Sequence, residues 1–456
     1  MTVMIKKPAW LLPFFVLVVA GVLRAQDYSF SYYSMQELPD AGIYLPAPPS
    51  FMGTSFADDF QQWIWGKSVR NTPRGKMASL DSQWRMDRTA EIFGEALGIT
   101  ISEKDTPAIW NFVLHTGNTG YTSVVAAKKR YMRIRPFALM NEHVAGEFDD
   151  EEGLRNDGSY PSGHTAMGWS MALGIAEMAP DRQNEVLRRG YQYGESRVIV
   201  GAHWQSDVEA ARLASSAAYA CMHNSPEFQE ELAAAKAEYR KIKGKTSAVK
   251  GYPDGEKIMD VPPSPDDSRF YGDVAYYMLA KAERGTARGQ QAVVDAECTD
   301  MALRNAFSSS LGLTVSPKET PCLAELVAYA AQVLKTEAER MKATNFRKRP
   351  FVQMGGEPLI THDTVDKKDT SSYPSVTSAM GWGVALVLVE VAPDRQNSIL
   401  SRGYEYGRSG VIAGSHYASD MQAGCLLAAW VYAELHNDKE FCRLMERAKA
   451  EYARIR

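Results

Sequence analysis

The chain has 456 residues, 45% of them hydrophobic and 23% charged, with a net charge of -4. That is the composition of a globular protein with a sizeable core, long enough for two or three domains. The small negative charge and the absence of a long basic tract argue against a nucleic-acid binder.

From the start of the chain, Lys6 and Lys7 precede an apolar run of 14 residues from Trp10 to Leu23. The run is too short for a comfortable membrane span, so residues 1–25 are expected to be a signal peptide ending at Ala25. Later stretches are too polar to cross a bilayer. The mature chain is therefore expected to be exported to the periplasm, with no membrane attachment after cleavage. Tyr44-Leu-Pro-Ala-Pro-Pro49 reads as an extended lead-in. Gln183 to Val198, Val208 to His223 and Glu227 to Lys241 carry apolar residues at helical spacing. Ser225-Pro226 reads as an N-cap followed by proline at the first helical position. Alternating strand patterns are scarce, and an all-α fold is expected.

The chain also contains itself twice. Ala179-Pro-Asp-Arg-Gln-Asn184 recurs as Ala392 to Asn397, an offset of 213, and 19 of the 29 residues from Ala179 to Asp207 equal their partners at that offset. A period of this length reads as a duplicated domain rather than a solenoid repeat. The expected organisation is two tandem helical bundles, residues 26–243 and 266–456, joined by a Lys-, Gly-, Ser- and Pro-rich linker at 244–265. The five cysteines, Cys221, Cys298, Cys322, Cys425 and Cys442, do not have the spacing of a zinc site. An odd count leaves at least one free, and one bridge in the second half is left open.

Three short stretches carry chemistry. Gly158-Ser-Tyr-Pro-Ser-Gly-His-Thr165 opens a helical segment, and a turn of free N–H groups at a helix start suits an anion. Pro161 fixes its φ, Gly163 is expected to permit a special backbone turn, Ser162 adds a hydroxyl, and His164 can exchange a proton near neutral pH. Upstream, Lys128 and Arg135 are seven residues apart, which places them on one face of one helix that Pro136 ends. Downstream, Arg197 is followed by His203 and Asp207, an i, i+4 pair able to hold an imidazole by a carboxylate if the segment is helical.

Together these read Lys-x6-Arg-Pro, Pro-Ser-Gly-His, and Ser-Arg-x5-His-x3-Asp. The pattern resembles the signature of the type-2 phosphatidic acid phosphatase superfamily, which includes vanadium haloperoxidases, and the octapeptide resembles that of the bacterial class A non-specific acid phosphatases. The resemblance implies a helical bundle acting on small-molecule phosphate monoesters without a metal or cofactor. It implies that His203 attacks phosphorus to give a phosphohistidine, that Asp207 orients it, and that His164 protonates the leaving group and then activates water. Lys128, Arg135, Ser162, Gly163 and Arg197 would bind the phosphate. Other histidines, such as His115, His143 and His223, read as structural or surface groups.

At the matching positions of the second half, Lys342, Arg349, Ser375, His416 and Asp420 are retained. Gly163 becomes Val376, His164 becomes Thr377 and Arg197 becomes Gly410. Val376 is expected to resist the turn, Thr377 cannot act as an imidazole acid, and Arg408 should point elsewhere on its helix. His362 is a remote substitute acid. The second half is thus expected to be a degenerate domain that packs on the first as an intramolecular pseudo-dimer, with further self-association open. Vanadium-dependent haloperoxidase and a non-catalytic phosphate-binding scaffold are the alternative readings.

Overall fold

A computed structural model describes residues 30–244, 251–360 and 363–456. The expected signal peptide, residues 245–250 of the expected linker and His362 lie outside the described residues. Among the described residues there is no strand, and no helix is long and apolar enough to cross a membrane.

The first half contains α1 (Ala41–Tyr44), α2 (Phe56–Val69), α3 (Pro73–Leu80), α4 (Met86–Leu97), α5 (Pro107–Tyr131), α6 (Pro136–Leu139), α7 (Glu151–Arg155), α8 (Gly163–Met178), α9 (Gln183–Ile199), α10 (Gln205–Met222) and α11 (Pro226–Lys243). The same order recurs in the second half as α12 (Gly255–Ile258), α13 (Phe270–Ala282), α14 (Ala287–Asp295), α15 (Asp300–Leu311), α16 (Pro321–Thr344), α17 (Pro350–Gln353), α18 (Asp363–Asp366), α19 (Val376–Val391), α20 (Gln396–Ala413), α21 (Ala418–Leu435) and α22 (Lys439–Ile455).

Each half is built around one helix. Every residue of α8 is buried, as a helix that is apolar all round requires, and α5, α9 and α10 pack about it. Helix α19 plays the same part among α16, α20 and α21. Local chemistry sets the ends. Ser225 caps α11 by accepting from the Phe228 amide at 3.2 Å, with Pro226 in the first turn.

The halves are interlocked. Helix α1 packs on α20, and α12 packs on α9. The backbone N–H of Asp40 donates to Asn397 at 3.0 Å, and that of Asp254 donates to Asn184 at 2.7 Å. Residues 255–258, expected to belong to a linker, are therefore helical and packed, with Ile258 fully buried. Helices α8 and α10 meet α21 and α19 across the junction. There the rings of His223 and His436 stack with centroids 3.6 Å apart. Glu177 lies 3.1 Å from His223, and Glu390 lies 3.0 Å from His436. His223 is thus a buried junction residue. His115 pairs with Glu231, and His143 is exposed. All five cysteines are free, so the bridge left open for the second half does not form. Cys322, Cys425 and Cys442 sit on three different helices, α16, α21 and α22.

Candidate active site

The candidate residues converge at the N-terminal end of α8. Ser162 is the N-cap, its hydroxyl accepting from Thr165 Oγ1 at 2.9 Å. Its backbone N–H donates to the Asp207 carbonyl at 2.9 Å, which ties the start of α8 to α10. Gly163 has ordinary helical backbone rather than a left-handed turn. What it supplies is space, since a Cβ there would stand 3.1 Å from the Tyr121 ring and 3.6 Å from Trp84. This corrects the expectation of a special turn.

The upstream pair is also arranged differently from the one-helix reading. Lys128 lies in the last turn of α5, which stops at Met132 in the left-handed region, φ 40°. Residues 133–135 then lie outside any helix, and Arg135, in extended conformation, becomes the N-cap of α6, whose first residue is Pro136. The two cations still meet, held by a shared carboxylate. Asp157 accepts from Lys128 at 3.1 Å and from Arg135 at 2.8 Å. Burial, then the charge of Arg135, pull the Lys128 ammonium down to about 8.

His203 and Asp207 are not on one helix either. His203 precedes α10, and Asp207 is in its first turn, where its carboxylate accepts from the Trp204 N–H at 2.8 Å. The imidazole Nδ1 is 3.5 Å from Asp207 Oδ2 and 3.4 Å from Ser159 Oγ. At the other edge of the ring, Arg135 Nη1 is 2.9 Å from Nε2. An arginine nitrogen can only donate, so Nε2 accepts and the ring proton sits on Nδ1, facing Asp207. Burial, then Arg135, draw the His203 pKa well below 6.5.

Asp207 is itself held. Burial alone would raise its pKa, but Arg133 at 2.7 Å and then His203 keep it well below the usual carboxylate range. Arg133 also bonds Asp59 at 2.7 Å, and Asp59 accepts from the Ser206 hydroxyl at 2.7 Å. His164 Nε2 lies 3.2 Å from the Ser82 carbonyl, and its ring is 4.6 Å from that of Trp84. Burial, then Arg197 and His203, lower its pKa well below 6.5. Arg197 is fully buried and bonds Asp149 at 2.6 Å. Its Nε and Nη1 are buried without a hydrogen-bond partner among the described residues. Such donors are costly unless an acceptor meets them.

The structure therefore brings Lys128, Arg135, Ser162, Gly163, His164, Arg197, His203 and Asp207 together. Sequence reading missed Arg133, Asp59, Asp149, Asp157, Ser159 and Trp84. Of these, only Ser159 lies within a recognisable motif. Sequence reading also gave no sign of Glu177, His223 and His436, whose ligand-type atoms lie within 4.8 Å of one another. Lys236 already pairs with Glu177 there, at 3.1 Å. A cavity of about 720 Å³ opens between the halves, lined by Tyr44, Asp58, Tyr160, Glu209, Tyr404 and Arg408, and none of the candidate catalytic residues borders it.

In the second half, the backbone of the turn is unchanged. Ser375 has φ -72° and ψ 117°, against -72° and 119° for Ser162. Val376 does not resist the turn, because that position is ordinary helix; it fills the space that Gly163 leaves. His416 Nδ1 bonds the Ser372 carbonyl at 2.8 Å and lies 3.9 Å from Asp420. Arg408 pairs with Glu283 and Glu405, away from the site.

A model of the PAP2 superfamily matches residues 108–229. A non-specific acid phosphatase of Providencia stuartii is 42% identical over 213 residues, which are 86% of that protein and 46% of this chain. One from Salmonella typhimurium is 39% identical over 233 residues, 92% of that protein and 51% of this chain. An acid phosphatase of Zymomonas mobilis is 32% identical over 204 residues, 77% of that protein and 45% of this chain.

Proposed function

The chain belongs to the non-specific acid phosphatases of the PAP2 superfamily, and from that premise we propose that residues 26–243 hydrolyse phosphate monoesters through a phosphohistidine at His203. The observation that carries this reading is the His203 ring, with Nε2 as the lone-pair nitrogen and Nδ1 turned to Asp207. Arg135 and Lys128 converge beside it, and Arg197 adds buried, unmatched donors. A phosphate monoester carries close to two negative charges, and these groups would take its equatorial oxygens as the Ser162 turn holds it.

The chemistry follows from the ring states. Nε2 of His203 forms the N–P bond while the P–O bond to the alcohol breaks. His164 Nε2 faces a carbonyl and so carries hydrogen, which leaves Nδ1 to give a proton to the departing alkoxide. Water then attacks phosphorus, Nδ1 takes its proton, and the N–P bond breaks to release inorganic phosphate. Asp207 fixes the tautomer and balances the positive ring.

The second half lacks the acid and the arginine clamp, so it is catalytically degenerate and serves as the built-in partner on which the first half packs. Residues 1–25 direct export to the periplasm. The test is rapid acid quench with a 32P-labelled phosphomonoester. Label should appear on the peptide containing His203 and on none containing His416. Label on His416, or none on His203, overturns the assignment.

A further inference from the structure

The second site has lost its catalysts but not its positive charge. In the first half, Lys128 and Arg135 share the carboxylate of Asp157. The residue at that position in the second half is Thr370. Among the described residues, Lys342 there bonds the Ser371 carbonyl, at 2.8 Å. Arg349 bonds the carbonyls of Lys367, Ser371 and Ser415 and the Thr370 hydroxyl, at 2.9–3.2 Å. Neither cation has a carboxylate partner among the described residues. Burial, then Arg349, pull Lys342 down to about 7, and Lys367 adds to the pull.

The cation lost with Arg197 has also been replaced from another element. Arg197 pairs with Asp149 at 2.6 Å. In the second half, Lys367 pairs with Asp363 at 2.8 Å. Lys367 occupies the place of Leu154, since the carbonyls of both accept from the arginine Nε of their own site. Near the phosphate turn, the first half has Lys128, Arg135 and Arg197 against Asp149 and Asp157. Among the described residues, and setting aside Asp207 and Asp420, which lie beside the two histidines, the second has Lys342, Arg349 and Lys367 against Asp363. Buried cations without counter-charge are expensive, and here they face the start of a 16-residue helix whose Ser375 turn keeps the geometry of the first.

We propose that the second half binds a phosphate group at Lys342, Arg349, Lys367 and the Ser375 turn, and does not turn it over. Lys367 is about one-third exposed and gives the site its opening to solvent. In the second half Cys298 takes the place of Trp84, with its Sγ 3.3 Å from the Thr377 hydroxyl, and Val376 adds a side chain that Gly163 lacks. The site thus keeps neither the aromatic wall nor the acid that would receive an ester's alcohol, so the ligand is inorganic phosphate rather than a bulky monoester. The inference rests on the first site being the phosphatase, and the two claims fail separately.

The experiment is calorimetric titration of the full chain with inorganic phosphate and, separately, with phenylphosphonate. Wild type should bind two phosphates and one phenylphosphonate. The double variant K342M/K367M should bind one of each, with kcat and KM for p-nitrophenyl phosphate unchanged. The single variant K367Q, altered at a partly exposed position, should weaken the second phosphate at least tenfold while helical circular dichroism is unchanged. Two bound phenylphosphonates would overturn the restriction to inorganic phosphate. One phosphate per wild-type chain, or two in the folded double variant, overturns the proposal. Failure of the first-site reading would appear instead as wild-type-like turnover by His203→Ala, whatever the phosphate count.

Discussion

The two phosphate turns of this chain have nearly the same backbone and different side chains, and the pattern of loss is informative. Arg133, Asp59, Ser206 and Asp207 in the first half correspond to Arg347, Asp273, Ser419 and Asp420 in the second, with the same bonds at 2.6–2.8 Å. Removing one partner of a buried ion pair strands the other and costs about 3–5 kcal/mol. That penalty acts whether or not the site is catalytic. His164, Arg197, Trp84 and Asp157 touch the pocket rather than the core, and their counterparts are Thr377, Gly410, Cys298 and Thr370. A retained histidine-aspartate pair such as His416 and Asp420 is therefore evidence of the fold more than of activity. On the proposed reading, the residues that separate a working site from a degenerate one are the acid, the clamp and the carboxylate between the cations.

The largest effect that would break this comparison is at the nucleophile. His203→Ala should lower kcat by roughly 10⁴–10⁶-fold, the scale seen when members of a catalytic triad are removed, while His416→Ala leaves it unchanged. A loss of only about half in each variant in steady-state assays would mean that both sites work. Next is the acid: His164→Ala should cost about 10²–10⁴-fold. The deficit should be smaller for p-nitrophenyl phosphate than for an alkyl phosphate, because p-nitrophenolate leaves with less help. Thr377→His alone should give no new activity, since Lys367 offers a point charge and not the paired donors of the Arg197 guanidinium.

The pH profile sharpens the contrast further. His164 must be protonated to act as acid, and burial with Arg197 holds its pKa below 6.5. Its active fraction therefore grows as pH falls, so kcat/KM should rise from pH 8 into the acid range. Lys128 binds phosphate only as the cation and titrates near 8, so kcat/KM should drop more steeply above that pH. A profile that rises with pH from 6 to 8 would contradict both assignments. The smallest effect concerns stability. Asp59→Ala and Asp273→Ala each leave a buried arginine without one of its two carboxylates and should each cost about 3 kcal/mol in urea unfolding. Only the first should also reduce turnover, because Arg133 helps to hold Asp207 beside the proposed nucleophile, whereas Arg347 holds Asp420 beside a site proposed to be inactive.

Much of this was legible in the sequence, for a physical reason. Helical periodicity, caps and the Pro-Ser-Gly-His turn are short-range features, so the all-α fold and the site residues could be read locally. The recurrence at an offset of 213 was equally visible. Tertiary structure decided what depends on partners far apart in the chain. Asp59 reaches Arg133 across 74 positions, and Asp149 reaches Arg197 across 48. A carboxylate carries no local mark of the cation that it will meet. The end of α5 at Met132, which puts Arg135 off the helix, is set by bonds of the arginine to Leu154, Asp157 and Ala202 rather than by heptad spacing. Gly163 is explained by two rings brought over it, and the exchange of α1 and α12 between halves is a matter of which surface each short helix buries. Lys367 entering the second site was the least predictable of these, because its role depends on a pocket that distant segments build around it.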